Sequence, residues 1–333
     1  MNQQTAHHAR TPIALFLLAF AFAIAFFAGS TRAQDDDSAG DMLTVTAHMY
    51  PLTGVNHTGL ALVDTDTVAL AGLNESSPQT IELLTLGTGD TLPPHDPLPF
   101  TFKQIAAAEA GTDNTLWVCD TLDSRLLVFD LKKRKLTQAV DTAGMPIKMR
   151  IAFDGTVWYI TRDLKVHRYT TDGRTYLLVD TASQPITVPA DVSDIALAPT
   201  GDVMYVACLS PGRIMRIDLT TGATATHTRD TQTPNDQARV FSSVDVNHDG
   251  ELFVCDTARN LILQYGPDGR HIQNIPPFSF EFSPCPSMVR VSNSTLICLA
   301  SQPDGTPMLI RATITNPDDV PDQDGSDIED GSK

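Results

Sequence analysis

Few residues in this 333-residue chain have the types and spacing that chemistry requires. GxSxG, HExxH, GxxxxGK[ST] and GxGxxG segments are absent, and the histidines are scattered. The run Asp245–Asp256 places oxygen side chains as a calcium-binding loop does. Its last residue is Asp rather than the longer bidentate Glu, and its flanks read as strands. We therefore predict a hairpin turn here, with Gly250 at positive φ.

A repeated strand pattern must position any site. The segment Glu251–Ile275 reads as three short strands separated by turn residues. The same outline recurs at spacings of 49, 41, 47, 48 and 44 residues, which is the period of propeller blades. We predict an all-β, six-bladed β-propeller of four-stranded antiparallel blades over residues 42–315. The spacings are counted between six marker residues, one in each blade, and we expect the aromatic markers to pack between blades. The markers are Val68, Trp117, Trp158, Tyr205, Phe253 and Ile297.

Each blade is predicted to run from an inner strand outwards, and the markers lie in its second strand. The segment Leu43–Met49 precedes the first blade without a place in it. We predict that it pairs as the outer strand of the last blade, which closes the ring and removes an exposed edge. The second strands are predicted at Thr67–Ala71, Thr115–Cys119, Thr156–Ile160, Val203–Cys208, Glu251–Cys255 and Thr295–Ala300.

The candidate binding residues lie at the channel mouth, where each inner strand begins. We take His57, Lys148, Asp194 and Ser243 as ligand-binding candidates, and expect Lys103 and Ser287 nearby. This mixture suits an anionic or sugar-like ligand, and the alternative is a water-filled polar channel. Two further acidic residues recur at equivalent places after a strand, so we assign them to turns, with the carboxylate accepting backbone N–H groups: Asp120 and Asp256.

Two family resemblances follow from these residues. The VCDT steps at 118–121 and 254–257, the NLILQY run and the GPDG turn resemble NHL-type propeller repeats. That resemblance covers about 270 residues, is specific in blades two and five, and implies fold more than activity. More distantly, Ser193–Ile195 is similar to the metal-binding step of gluconolactonase-like propellers. This implies Asp194 as a calcium ligand and attack by metal-bound water. Ile195 replaces that family's Gly, Ser242-Ser243 replaces an Asp, and Asn56-His57 stands where a Glu is expected.

The net charge of −17 excludes some partners. It opposes phosphate backbones and anionic lipid, so nucleic-acid binding is not expected. A closed ring needs no partner strand, and we expect a monomer.

The termini predict export. Residues 1–33 have the polar start, apolar run and small-residue end of a cleavable signal peptide, with an uncleaved membrane anchor as the alternative. A periplasmic or extracellular location follows, without stable membrane association after cleavage. Residues 34–41 are an acidic linker, and residues 316–333 are predicted to be a disordered acidic tail.

Five cysteines remain in a chain predicted to be exported. Cys119 and Cys255 occupy equivalent places and are expected to be buried, whereas Cys285 and Cys298 are the most plausible bridge.

Two functions remain open at this point, and so does enzymatic activity. The first is a secreted binding scaffold for a protein, glycan or small molecule, with no cofactor. The alternative is a metal-dependent hydrolase or lactonase with calcium held by Asp194.

Overall fold

The computed structural model describes residues 44–52, 57–64, 66–72, 79–86, 96–228, 239–275, 285–292, 295–302 and 304–315. The predicted signal peptide, linker and acidic tail lie outside these ranges. Every regular element within them is a β-strand. Among the described residues, none belongs to a helix long and apolar enough to cross a bilayer.

The chain first forms β1 (Thr44–Pro51) and then blades one to three. Blade one consists of β2 (His57–Leu62), β3 (Thr67–Gly72), β4 (Thr80–Thr85) and β5 (Asp96–Pro97). Blade two consists of β6 (Ile105–Ala110), β7 (Thr115–Asp120), β8 (Arg125–Asp130) and β9 (Lys135–Asp141). Blade three consists of β10 (Pro146–Ile151), β11 (Val157–Thr161), β12 (Val166–Tyr169) and β13 (Thr175–Leu177).

Blades four to six follow the same order. Blade four consists of β14 (Val192–Leu197), β15 (Val203–Cys208), β16 (Arg213–Asp218) and β17 (Thr224–Thr226). Blade five consists of β18 (Phe241–Val246), β19 (Leu252–Asp256), β20 (Leu261–Tyr265) and β21 (His271–Ile275). Blade six is built from β22 (Cys285–Ser292), β23 (Thr295–Ser301), β24 (Pro307–Thr315) and β1.

The ring closes as the sequence predicts. β1 pairs antiparallel with β24, from Thr44 opposite Thr315 to Pro51 opposite Met308. The first strand of the propeller therefore supplies the outer strand of the last blade, and each inner strand contacts the inner strands of both neighbouring blades. The six-bladed propeller and its closing strand are confirmed.

The core lies between the blades. Six hydrophobic clusters of described residues each join two neighbouring blades. The aromatic markers occupy these clusters or pack against them, which confirms their predicted position: Trp117, Trp158, Tyr205 and Phe253. Apolar burial between blades is what orients the inner strands around the channel.

The predicted Gly250 turn is confirmed, whereas the two acidic residues assigned to turns end strands and accept backbone N–H groups that lie far from them in sequence. Gly250 has a φ of 82°, and its N–H donates to the Asn247 carbonyl at 3.1 Å in the β18–β19 hairpin. Asp120 accepts the backbone N–H groups of Lys103 and Gln104 at 3.2 and 3.0 Å. Asp256 accepts the Val240 N–H at 3.2 Å. Each of these carboxylates anchors the chain as it enters the inner strand of its own blade.

The predicted Cys285–Cys298 bridge is wrong. Cys298 is a buried free cysteine, as are Cys119 and Cys208, and Cys255 is also buried. Cys298 lies opposite Val289 in the β22–β23 ladder, whereas Cys285 lies opposite Ser301. The two cysteines are thus separated along the hairpin, because its register is set by the strand ladder.

Candidate functional site

A β-bulge recurs at one place in all six inner strands. The pairing with the second strand skips one residue near the start of β2, β6, β10, β14, β18 and β22. The residue after each skip therefore occupies an equivalent position, and so does the residue two places later. The first set is Gly59, Ala107, Lys148, Asp194, Ser243 and Met288, and the second set is Ala61, Glu109, Arg150, Ala196, Asp245 and Arg290.

The centre of the channel is held by an ion-paired cluster that we call the central cluster: Arg150, Asp194 and Ser243. Arg150 Nη2 donates to the Asp194 oxygens at 3.2 and 3.3 Å, and Nη1 donates to Glu109 Oε2 at 3.2 Å. Arg150 Nη2 also lies 3.4 Å from the Val244 carbonyl oxygen. One guanidinium group therefore joins blades two, three, four and five.

Asp194 is the anion of this cluster. Its Oδ2 accepts the Ser243 hydroxyl at 2.6 Å and Arg290 Nη1 at 3.3 Å. Burial by itself would raise the pKa of Asp194, but the positive charges of Arg150, Arg290 and Lys148 outweigh it and hold this pKa well below its usual range. Asp194 is consequently ionised and saturated with donors.

The same polar side chains cap backbone groups at the inner edge of the sheets. An inner strand has a ladder partner on one side only, so alternate N–H groups face the channel. Asp194 accepts the Ile195 N–H at 2.9 Å, and Ser243 accepts the Val289 N–H at 3.2 Å. Asp245 accepts the Val291 N–H at 2.8 Å. These polar residues thus satisfy buried backbone donors that the fold leaves without a strand partner.

A cavity of about 510 Å³ opens where the inner strands end. Three charged residues of its lining form what we call the cavity wall: Glu109, Asp245 and Arg290. Arg150 also reaches it, and Asp64 and Ser292 lie around it. Apolar strand ends complete the lining: Leu62, Val63, Ile151, Leu197, Val246 and Val291.

The cavity wall keeps unused hydrogen-bonding atoms. Glu109 bonds through Oε2 and Asp245 through Oδ2, and their other oxygens make no hydrogen bond within the described residues. Arg290 is 7% exposed, and within the part of the chain that the structure describes it bonds only through Nη1, to Asp194 and to the Val289 carbonyl at 2.6 Å. Its buried Nε has no partner among the described residues. The lining therefore offers donors and acceptors that the protein itself does not satisfy.

Burial dominates the acidity of the two wall carboxyls. Desolvation raises the pKa of Glu109 although Arg150 and Arg290 oppose it, and it raises the pKa of Asp245 against the same two arginines. The negative charges of Asp245 and Asp194 further raise the pKa of Glu109, and that of Asp194 further raises the pKa of Asp245. The Arg150 pKa lies above its usual range, because Asp194 and Glu109 outweigh its own desolvation.

The four predicted ligand-binding residues do not form one site in the described structure. Asp194 and Ser243 are brought together in the central cluster. Lys148 is partly exposed, burial lowers its pKa, and it makes no hydrogen bond or ion pair with the described residues. His57 begins β2, but its side chain lies outside the described part of the chain.

Lys103 and Ser287, which were also expected at the channel mouth, do not occupy the equivalent inner-strand position. Lys103 precedes β6 and pairs with Asp123 at the surface. Ser287 is the skipped residue of β22, and its hydroxyl donates to the Leu299 carbonyl at 3.1 Å. The equivalent positions in these two blades are Ala107 and Met288.

Sequence reasoning missed the cavity-facing residues. It considered where inner strands begin, whereas the cavity lies where they end. Glu109, Arg150 and Arg290 went unnoticed, and Asp245 was assigned to the hairpin turn that follows it. The signal was present: these residues lie two places after the first set, on the same side of each strand.

The described residues contain no group of three or more His, Cys, Asp or Glu side chains suited to hold a metal ion. The inner-strand position of Asp194 is instead surrounded by guanidinium groups and a hydroxyl.

Solved structures with this architecture include enzymes. The chain is similar to virginiamycin B lyase from Staphylococcus aureus, with a TM-score of 0.54 and 12% identity over 82% of this chain and 100% of the lyase. A gluconolactonase from Xanthomonas campestris gives a TM-score of 0.57 and 15% identity over 79% of this chain and 87% of that one. A streptogramin B lyase gives a TM-score of 0.54 and 12% identity over 81% of this chain and 98% of that one.

At these identities the similarity shows a shared propeller fold. No protein-family model matches the chain, so the NHL assignment stays a prediction. No curated protein matches the sequence.

Proposed function

We propose that this protein is a binding propeller that holds a small polar molecule in the cavity at the ends of its inner strands, without a bound metal. The observation that carries the proposal is the unsatisfied hydrogen-bonding capacity of the cavity wall. Glu109, Asp245 and Arg290 come from blades two, five and six, and each keeps polar atoms without a partner in the described structure. Polar groups from several blades that converge on one concave cavity are typical of small-molecule sites.

The calcium-dependent lactonase alternative would place a metal at Asp194. The donor set around that carboxylate suits this poorly, because Arg150 and Arg290 occupy its oxygens with positive charge. Calcium needs six to eight oxygen ligands, and the equivalent positions in neighbouring blades hold Lys148 and Ser243. Hydrolysis remains the second hypothesis, and the propeller enzymes that share the fold are its main support.

The setting of the site follows from the sequence. The N-terminal segment predicts export, so the ligand would be met in the periplasm or outside the cell. The acidic surface disfavours nucleic acid as partner. The closed ring favours a monomer, since β1 covers the strand edge of blade six that a second copy would otherwise pair with.

Blocking the cavity tests the proposal. We would incubate the purified protein with a defined panel of neutral sugars, sugar acids, amino acids, dipeptides and nucleosides in EDTA, and identify retained compounds by equilibrium dialysis and mass spectrometry. Ser292→Trp fills the cavity rim. Leu122→Trp is the control, because Leu122 is exposed in the β7–β8 turn at the opposite end of the strands.

We expect compounds that are retained by wild type and Leu122→Trp and lost with Ser292→Trp. Equal retention by both variants, or no retention at all, would overturn the cavity as the binding site. Retention that appears only when calcium replaces EDTA would favour the lactonase hypothesis instead.

A further inference from the structure

The charged atoms of the cavity wall are arranged by sign around the ring. Glu109 lies in blade two and Asp245 in blade five, so the two carboxyls face each other across the channel. Arg290 lies in blade six, next to Asp245. Blade one provides only Ala61 at the equivalent position, which leaves space beside Arg290.

Arg290 is incompletely neutralised. Its only carboxylate partner among the described residues is Asp194, which also pairs with Arg150. A guanidinium group has five N–H donors. Within the described residues, Nη1 is the only nitrogen of Arg290 that makes hydrogen bonds, although the side chain is more than nine-tenths buried. Buried donors without partners are costly, so this group favours an anionic acceptor in the cavity.

The carboxylates of the cavity favour a cationic group of the ligand. Glu109, Asp194 and Asp245 are three carboxylates, and Arg150, Arg290 and Lys148 are three cations, so these charges balance when all are ionised. Asp64 at the rim adds a further negative charge. The oxygens left over belong to Glu109 and Asp245, so a cationic donor between them would complete the pairing.

From these two observations we infer that the cavity binds a zwitterion, such as an amino acid or short peptide. The anionic group of the ligand lies against Nη2 of Arg290, and its ammonium group lies between Glu109 and Asp245. This inference rests on the proposed binding function and specifies the ligand class of the same cavity. Lys148 plays no part, because it lies two residues nearer the start of β10 than Arg150.

The same retention panel tests the ligand class. Free amino acids, dipeptides and ω-amino acids would be compared with their N-acetyl and C-terminal amide derivatives and with uncharged sugars. We expect free zwitterions to be retained, and both kinds of blocked derivative to be lost or weakened about tenfold or more, since each lacks one charge-assisted contact. If only sugars are retained, and Ser292→Trp abolishes their retention, the inference of a zwitterionic ligand is wrong while the proposed binding function of the cavity is supported.

Two conservative variants assign the contacts. Arg290→Lys keeps a positive charge beside Asp194 but loses the planar donor fork, so affinity for the carboxylate of the ligand should fall about tenfold. Asp245→Asn keeps the shape and an acceptor for the Val291 N–H, and should weaken binding of the free amine while leaving binding of its N-acetyl derivative unchanged. Arg174→Lys, at the exposed surface, is the control. Equal loss for blocked and free ligands would contradict the assignment.

Discussion

The central cluster draws on both sets of inner-strand positions and the cavity wall on the second set, and the two regions differ in how far their polar groups are satisfied. Asp194 accepts two guanidinium groups and a hydroxyl, and Ser243 both donates and accepts. Asp245 uses one oxygen on a backbone N–H and keeps the other. The first region contributes to holding the ring together, whereas the second retains capacity for a ligand.

This difference teaches how to interpret polar residues in a propeller channel. An inner strand leaves backbone groups without a ladder partner, and polar side chains from the preceding blade supply one. A polar channel residue therefore has a structural explanation until its hydrogen bonds are counted. The residues with spare donors and acceptors after that count are the candidates for function.

The largest expected effect comes from Arg150→Met. The substitution leaves Asp194 and Glu109 buried without their shared cation, which should lower the free energy of unfolding by about 3–5 kcal/mol. Urea denaturation measures this, with Arg174→Met as the control because Arg174 is exposed. A loss no larger than that of the control would mean that the cluster does not stabilise the ring.

The second comparison uses amide substitutions of matched shape. Asp194→Asn removes an anion with two arginine partners and should cost about 3 kcal/mol at neutral pH. Asp245→Asn should change stability by less than about 1 kcal/mol, since the amide oxygen still accepts the Val291 N–H. Thermal and urea unfolding of both variants provide the test. Equal costs would contradict the division into cluster and wall.

Acidification should change stability in opposite directions through Asp194 and through the two wall carboxyls. The pKa of Asp194 is lowered on folding, so its contribution is present above the unfolded value of about 3.9 and is lost as pH falls through the lower folded value. The pKa values of Glu109 and Asp245 are raised, so ionising them opposes folding, and this penalty disappears on acidification.

Stability measured against pH should therefore show an acid-induced loss in wild type that Asp194→Asn lacks. Asp245→Asn and Glu109→Gln should retain that loss. A flat acid response in wild type would argue against an ionised, paired Asp194.

Two serines give a smaller contrast. Ser243→Ala removes a donor to Asp194 and the acceptor of the Val289 N–H, and should cost about 1–2 kcal/mol. Ser292→Ala, at the cavity rim, should lie within about 0.5 kcal/mol of wild type. Both are measured by urea unfolding, and a reversed order would be inconsistent with the hydrogen bonds described.

The smallest effect is expected for Lys148→Met. Burial lowers the Lys148 pKa, and no described residue accepts a hydrogen bond from its amine. Removing the charge while keeping the apolar stem should change stability by less than about 1 kcal/mol, in either direction. A loss comparable to that of Arg150→Met would place Lys148 within the central cluster.

Much of the fold could be predicted from the sequence, and much less of the site. The second strands are found within one or two residues of their predicted bounds, for example Val203–Cys208 and Thr115–Asp120. Asp194 and Ser243 were named from the sequence as ligand-binding candidates, and the structure joins them by a hydrogen bond, but their other partners were not foreseen. The partners of Asp194 come from positions 150, 243 and 290, which no local pattern connects.

What the sequence determined by itself is the repeat. Turn residues and alternating apolar strands are local signals, and their period is enough to predict six blades and the closing role of the segment before β2. The tertiary structure alone decided which polar residues are satisfied and which face the cavity. The reason is geometric: six strands distant in sequence converge on one axis, so whether a charge there is paired depends on side chains contributed by other blades.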